Sequence, residues 1–199
     1  MKILTTLLLV FSLAAAVPAL GAEPQEKVRT TADAVIVILQ NPELSQAERY
    51  ERITELVRAG FHFPVMSRAV LGVHWRRAEP AQRERFVELF TEFLEASYRE
   101  RIEAYMDQYT DEEVKYLNER IDEDRAEVET AIISGNKEIP VLYRMLRDGG
   151  EWRVYDVVIE GVSLVRTYRD TFGEIARNQG VDGLIKRLQE KIHELRTTS

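Results

Sequence analysis

Apolar positions recur every three or four residues through the first half of the chain. They alternate from Glu113 to Ile159, then return to the helical period. Glu26–Leu39 places Val28, Ala32, Val35, Ile36 and Leu39 on one helical face, and Asn41-Pro42 ends it, because the residue before a proline avoids the helical region. A second helix starts at Ser45, where Glu48 completes a capping box; Tyr50, Ile53, Leu56 and Val57 form its apolar stripe and Gly60 closes it. Phe61–Leu71 reads as a short helix entered through Pro64 and stopped at Gly72. Pro80 suits the first turn of the strongest helix, predicted to run to Tyr109. Phe86, Leu89, Phe90, Phe93, Leu94, Tyr98, Ile102, Tyr105, Met106 and Tyr109 make its apolar face. At 1.5 Å per residue it spans roughly 45 Å.

Beyond Tyr109 the period drops to two. Glu113–Arg120, Arg125–Ile133, Ile139–Arg147 and Trp152–Ile159 read as four strands, joined in part by the glycine turns Ser134-Gly135-Asn136 and Asp148-Gly149-Gly150. Connections this short exclude helical crossovers, so the sheet is expected to be an antiparallel meander. Val162–Arg177 and Asp182–Arg196 read as two closing helices, with Asp182 as N-cap of the second. The order predicts an α+β fold: a four-stranded antiparallel sheet packed with N- and C-terminal helices.

Residues 1–22 stand apart. Lys2 is their one charge, Ile3–Val17 is nearly unbroken apolar sequence, and Pro18, Ala19, Gly21 and Ala22 follow. This is the layout of a secretory signal peptide cleaved after Gly21 or Ala22, and the run is short of the ~20 residues a membrane span needs. The expected organisation is a leader over 1–22 and one domain over 23–199. The 199 residues include no cysteine, which excludes a lipid-anchored N-terminus, disulfides and thiolate chemistry. A net charge of −7 without a basic run argues against nucleic acid as a partner. A monomer is expected.

Catalytic patterns are weak. His62, His74 and His193 fall on three separate segments. Gly161-Val162-Ser163 lacks the second glycine of a nucleophile elbow, Val165 standing in its place. The last two strands carry apolar residues at adjacent positions, so both faces of the sheet call for cover. Periodicity does not distinguish a filled core from a hollow one. An ordinary packed interior, an interaction module and a small hydrolase or isomerase using Asp156 with Tyr168 all remain open on these grounds.

A longer pattern narrows the choice. Asp156, Glu160-Gly161-Val162-Ser163 and Tyr168-Arg169-x-x-Phe172 resemble the signature of the MlaC family of periplasmic phospholipid-binding proteins, also called the toluene-tolerance family. Leu71-Gly72-x-x-Trp75-Arg76, Pro80-x-x-Arg83-x-x-Phe86 and Asp182-Gly183-Leu184-Ile185 resemble further recurrent stretches in the same order; His62 stands where members often carry aspartate. The resemblance implies helices and an antiparallel sheet around an apolar pocket that holds phospholipid acyl chains as cargo. No cofactor and no catalysis are expected. It also implies docking with an inner-membrane MCE-domain ABC transporter complex and an outer-membrane lipoprotein–porin complex. For the pocket wall, Phe90, Phe93, Leu94, Tyr143, Val158, Val162 and Val165 are the expected residues. Trp75, Arg76, Asp156, Gly161, Ser163, Tyr168 and Arg169 are expected at its mouth or in structural roles. Among these, Gly161 suits a tight turn, Ser163 a helix cap, and Asp156 a paired buried carboxylate.

Overall fold

The computed structural model describes residues 23–108 and 112–198. The expected leader with its expected cleavage point, and Tyr109, lie outside them. Five helices come first: α1 (Pro24–Gln40), α2 (Gln46–Gly60), α3 (Phe63–Leu71), α4 (Val73–Arg77) and α5 (Pro80–Gln108). The strands β1 (Glu113–Asp122), β2 (Arg125–Ser134), β3 (Lys137–Asp148), β4 (Glu151–Ile159) and β5 (Val162–Ser163) follow, and α6 (Leu164–Thr198) closes the chain.

Local chemistry fixes the helix ends. Ser45 Oγ accepts from the Glu48 N–H while the Glu48 carboxylate accepts from the Ser45 N–H at 2.8 Å, so the capping box is complete. His62 caps α3, its Nδ1 accepting from the Val65 N–H at 3.3 Å, and Gly72 ends it with φ of 54°. Trp75 and Arg76 lie on the short helix α4, an element the sequence does not announce because five residues are too few to show a period.

The strands pair in chain order, each antiparallel to the next. The sheet has five strands rather than the expected four. Glu160 and Gly161 both take positive φ (50° and 82°), as a two-residue type I′ turn requires, and fold Val162 back onto Ile159. Val162 therefore belongs to a strand and not to the helix that follows. Two register shifts interrupt the ladders, at Leu117 in β1 and at Tyr155 in β4. The two expected closing helices are both present as the two arms of α6, parted at Gly180, whose φ of 74° and ψ of 179° are not helical.

The largest buried cluster joins α3, α5 and α6 through Met66, Val70, Phe86, Phe90, Phe172 and Leu184, all at most 5% exposed. Phe172 meets Phe86, Phe90 and Phe93 edge-on at 5.6–6.3 Å, the offset geometry aromatic quadrupoles favour. A second cluster packs Val28 of α1 against Val128, Met145, Trp152 and Val154 on the inner face of the sheet. Between the clusters the packing opens.

Candidate functional site: an apolar cavity beside the sheet

A cavity of about 730 Å³ lies between α2, α5, the end of β4 and the start of α6. Val57 of α2, Phe61, Phe63 and Met66, Leu94 and Ile102 of α5, and Val157 and Ile159 of β4 supply apolar wall. Val162, Leu164, Thr167 and Tyr168 close it on the side of β5 and α6. Its size falls within the roughly 300–1,000 Å³ typical of small-molecule sites. One edge is open: Ile159 and Val162 are 48% and 63% exposed, and Arg101 and Glu160 stand there in solvent. Glu95, also on the wall, is held by a two-pronged ion pair with Arg58. Arg101 lies over the Tyr98 ring at 5.5 Å and makes no ion pair among the described residues. Burial, reinforced by Tyr98 and its hydroxyl, pushes the Tyr168 phenol well above the usual tyrosine range.

A second apolar space of about 280 Å³ lies between α1 and the sheet. Val28, Ala32, Val35 and Ile36 of α1 face Ile132, Tyr143, Met145 and Val154 across it. Burial also raises the Tyr143 phenol. Two other recesses are polar and lined by charged side chains, one between α2 and α5 and one beside Gly72 and Arg169.

Among the wall residues expected from sequence, Leu94 and Val162 line the larger cavity and Tyr143 the smaller. Phe90, Phe93 and Val165 sit one layer back, packed in the cluster of α3, α5 and α6. Val158 lines neither cavity. The extra residue at Tyr155 shifts the alternation of β4, so Val157 and Ile159 share the inner face with Val154, and Val158 points to the other side. Tyr98, Ile102, Val157 and Ile159 were missed as wall, and so was the space beneath α1. Tyr98 and Ile102 lay on the predicted apolar face of α5, but nothing in their spacing says whether they meet atoms or empty space.

Of the residues expected at the mouth or in structural roles, Tyr168 is on the cavity wall. Trp75 packs against the helical cluster under Arg83, whose Nε donates to its carbonyl at 2.9 Å, and Arg76 is exposed. Arg169 Nε donates to the Ala69 carbonyl at 2.7 Å, tying α6 to α3. Asp156 is 3% exposed and fully engaged. It accepts from Arg144 at 3.1 Å, Ser163 Oγ at 2.7 Å and the Val165 N–H at 3.0 Å. Ser163 Oγ in turn accepts from the Arg166 N–H at 3.0 Å, capping α6. Asp156 and Tyr168 thus have separate partners and do not form the acid–base pair that a hydrolase or isomerase would use. No helix among the described residues is long and apolar enough to cross a membrane, and no group of three or more metal-ligating side chains occurs among them.

A five-stranded antiparallel sheet flanked by helices, hollow beside its inner face and walled by aliphatic and aromatic side chains, defines a class of proteins built around an apolar pocket. The sequence model described as MlaC protein matches residues 29–190, most of the chain, and the chain belongs to the MlaC family. It is 31% identical over 125 residues to the intermembrane phospholipid transport system binding protein MlaC of Haemophilus influenzae. That match covers 61% of this chain and 58% of the relative. It is 29% identical over 119 residues to the toluene tolerance protein ttg2D of Pseudomonas putida, covering 59% of this chain and 54% of that one. The chain therefore spans a little over half the length of these curated relatives. A phospholipid-binding protein from Ralstonia solanacearum, solved in complex with a phospholipid, has the same fold. Its TM-score is 0.76 at 23% identity, over 88% of this chain and 99% of that one.

Proposed function

We propose that this protein is a soluble periplasmic phospholipid carrier. It takes acyl chains into the cavity beside β4 and passes lipid between an outer-membrane lipoprotein–porin complex and an inner-membrane MCE-domain ABC transporter complex. The observation that carries the reading is the cavity itself, apolar and open at one edge. Membership of the MlaC family and the names of the Haemophilus and Ralstonia relatives support the cargo. Exposing a methylene to water costs ~0.8 kcal/mol, so a 16-carbon chain is worth on the order of 12 kcal/mol in transfer. A carrier crossing water must offset nearly all of that by burial, and the wall of Leu94, Ile102, Val157 and Leu164 is made of groups that do so. At the open edge Arg101 is placed to meet a phosphate while the head group stays in water. The function needs no bond chemistry, and the reading is of a protein that is not an enzyme.

Native mass spectrometry of the full chain purified from cells tests this. A co-purifying phospholipid mass is expected; an empty protein that takes up no phospholipid from added vesicles overturns the carrier reading. Val157→Trp, which places a bulky ring in the cavity, is expected to lower loading about tenfold or more. Val158→Trp, on the opposite face of β4, is expected to load as the parent does.

A further inference from the structure

Phe61 stands on the wall of both apolar spaces and packs against both buried clusters, the one of α3, α5 and α6 and the one beneath α1. We propose that Phe61 is a swinging partition between two acyl chambers, and that the smaller chamber, between α1 and the sheet, receives the second chain of a two-chain lipid. This rests on the carrier reading above and assigns each chain its place.

The backbone around Phe61 is pinned. Its N–H donates to the Val57 carbonyl at 3.0 Å, and the next N–H, of His62, donates to the Val154 carbonyl at 2.8 Å. These bonds fix the Cα against α2 on one side and β4 on the other. The side chain is half-buried and stacks on Phe63 at 5.9 Å and 24°. A ring on a fixed Cα moves by changing rotamer, without moving the backbone.

The two spaces also lie along one strand. Val154 lines the smaller chamber and Val157 the larger, and the bulge at Tyr155 brings both onto the same face of β4. At about 280 Å³ the smaller chamber is below the size of a whole-ligand site, but it is walled by α1 and the sheet with side chains suited to a hydrocarbon chain. The two chains of a diacyl lipid diverge from one glycerol. With the head group held at the edge near Arg101 and Glu160, one chain lies in the larger chamber and the other reaches the smaller by passing the Phe61 ring. Gly60, immediately before it, lines the smaller chamber, and a Cβ there would meet nothing within 4 Å.

The test compares a two-chain and a one-chain lipid of the same head group. Purified full-length protein is exposed to vesicles of dioleoyl phosphatidylglycerol, or to oleoyl lysophosphatidylglycerol, and bound lipid is counted by native mass spectrometry. Ala32→Phe places a ring in the smaller chamber, where a small half-buried residue now stands. It is expected to reduce retention of the two-chain lipid about tenfold and to leave the one-chain lipid unchanged. Loss of both lipids equally, or of neither, overturns the assignment. Failure of the parent protein to bind either lipid overturns the carrier reading instead. A second measurement needs no variant. A diacyl lipid with a photoreactive group at the end of one chain is expected to crosslink to peptides of both α1 and α5 in the parent protein. Crosslinks confined to α5 and α6 overturn the partition.

Discussion

Asp156 joins the sheet to the last helix. Its three accepted hydrogen bonds come from β3, from β5 and from the first turn of α6, so one carboxylate sets the direction in which α6 leaves the sheet. A row of alternating charge leads to it across the outer face, Arg120 to Glu127, Glu127 to Arg144 and Arg144 to Asp156. Asp156→Asn keeps the volume and removes the charge, so it is expected to destabilise the fold by about 2–3 kcal/mol, the range for hydrogen bonds to a charged group. The effect stays below that of a fully buried pair because the Arg144 side chain is 38% exposed and keeps part of its hydration. Urea denaturation measures it, and a loss under about 1 kcal/mol would show that the bonds are replaced by water. The sequence identified Asp156 as a paired carboxylate but not its partners, which come from strands whose register is set by turns and bulges. The same limit separates Val157 from Val158. One extra residue at Tyr155 exchanges their faces, and strict alternation has no means of registering it.

At the scale of elements, helix limits and the meander were readable because each rests on local chemistry: a capping box at Ser45, prolines at Pro64 and Pro80, glycine turns between strands. What escaped notice was short. The two residues of β5 have no alternation to display, and the five of α4 make barely one turn. Phe90 and Phe93 were assigned to the wall because a helical stripe looks the same whether it faces packed atoms or a space. The bend in α6 is different in kind. Gly180 has φ 74° and ψ 179°, a region open to glycine almost alone, and beyond it Leu184, Leu188 and Ile192 turn onto the helical cluster. Gly180→Ala is expected to cost about 1–3 kcal/mol, seen as a lower urea midpoint at unchanged slope. A midpoint equal to the parent's would mean that the bend is set by packing alone.

At alkaline pH the molecule responds through half-buried tyrosines. Burial raises the phenols of Tyr143, Tyr168 and Tyr116 above their ordinary value, so the folded state prefers them neutral. The unfolded chain ionises them freely near pH 10. Folded groups with raised values bind protons that the unfolded chain has released, so stability is unaffected at neutral pH and falls as pH rises beyond about 10. Urea midpoints measured across that range are expected to decline, with phenolate absorbance gaining a step at unfolding. A flat profile would mean that these hydroxyls are solvated in the folded protein. Bound cargo acts in the opposite sense, since a ligand held only by the folded state raises the melting temperature with the logarithm of its free concentration above Kd.

The edges of the sheet have a consequence for the emptied protein. Along β4, the outer main-chain groups are covered over part of their length by β5 and over another part by the Phe61–His62 segment, which bridges to Val154. That leaves β1, whose ladder is broken at Leu117 and whose rim bears Lys115, Glu119 and Arg120. A broken, charged border is a poor template for strands of another molecule. Releasing lipid therefore uncovers greasy side chains but no continuous line of unsatisfied amides and carbonyls. Crowded empty copies should cling loosely and come apart on dilution, and they have little means of growing into fibrils.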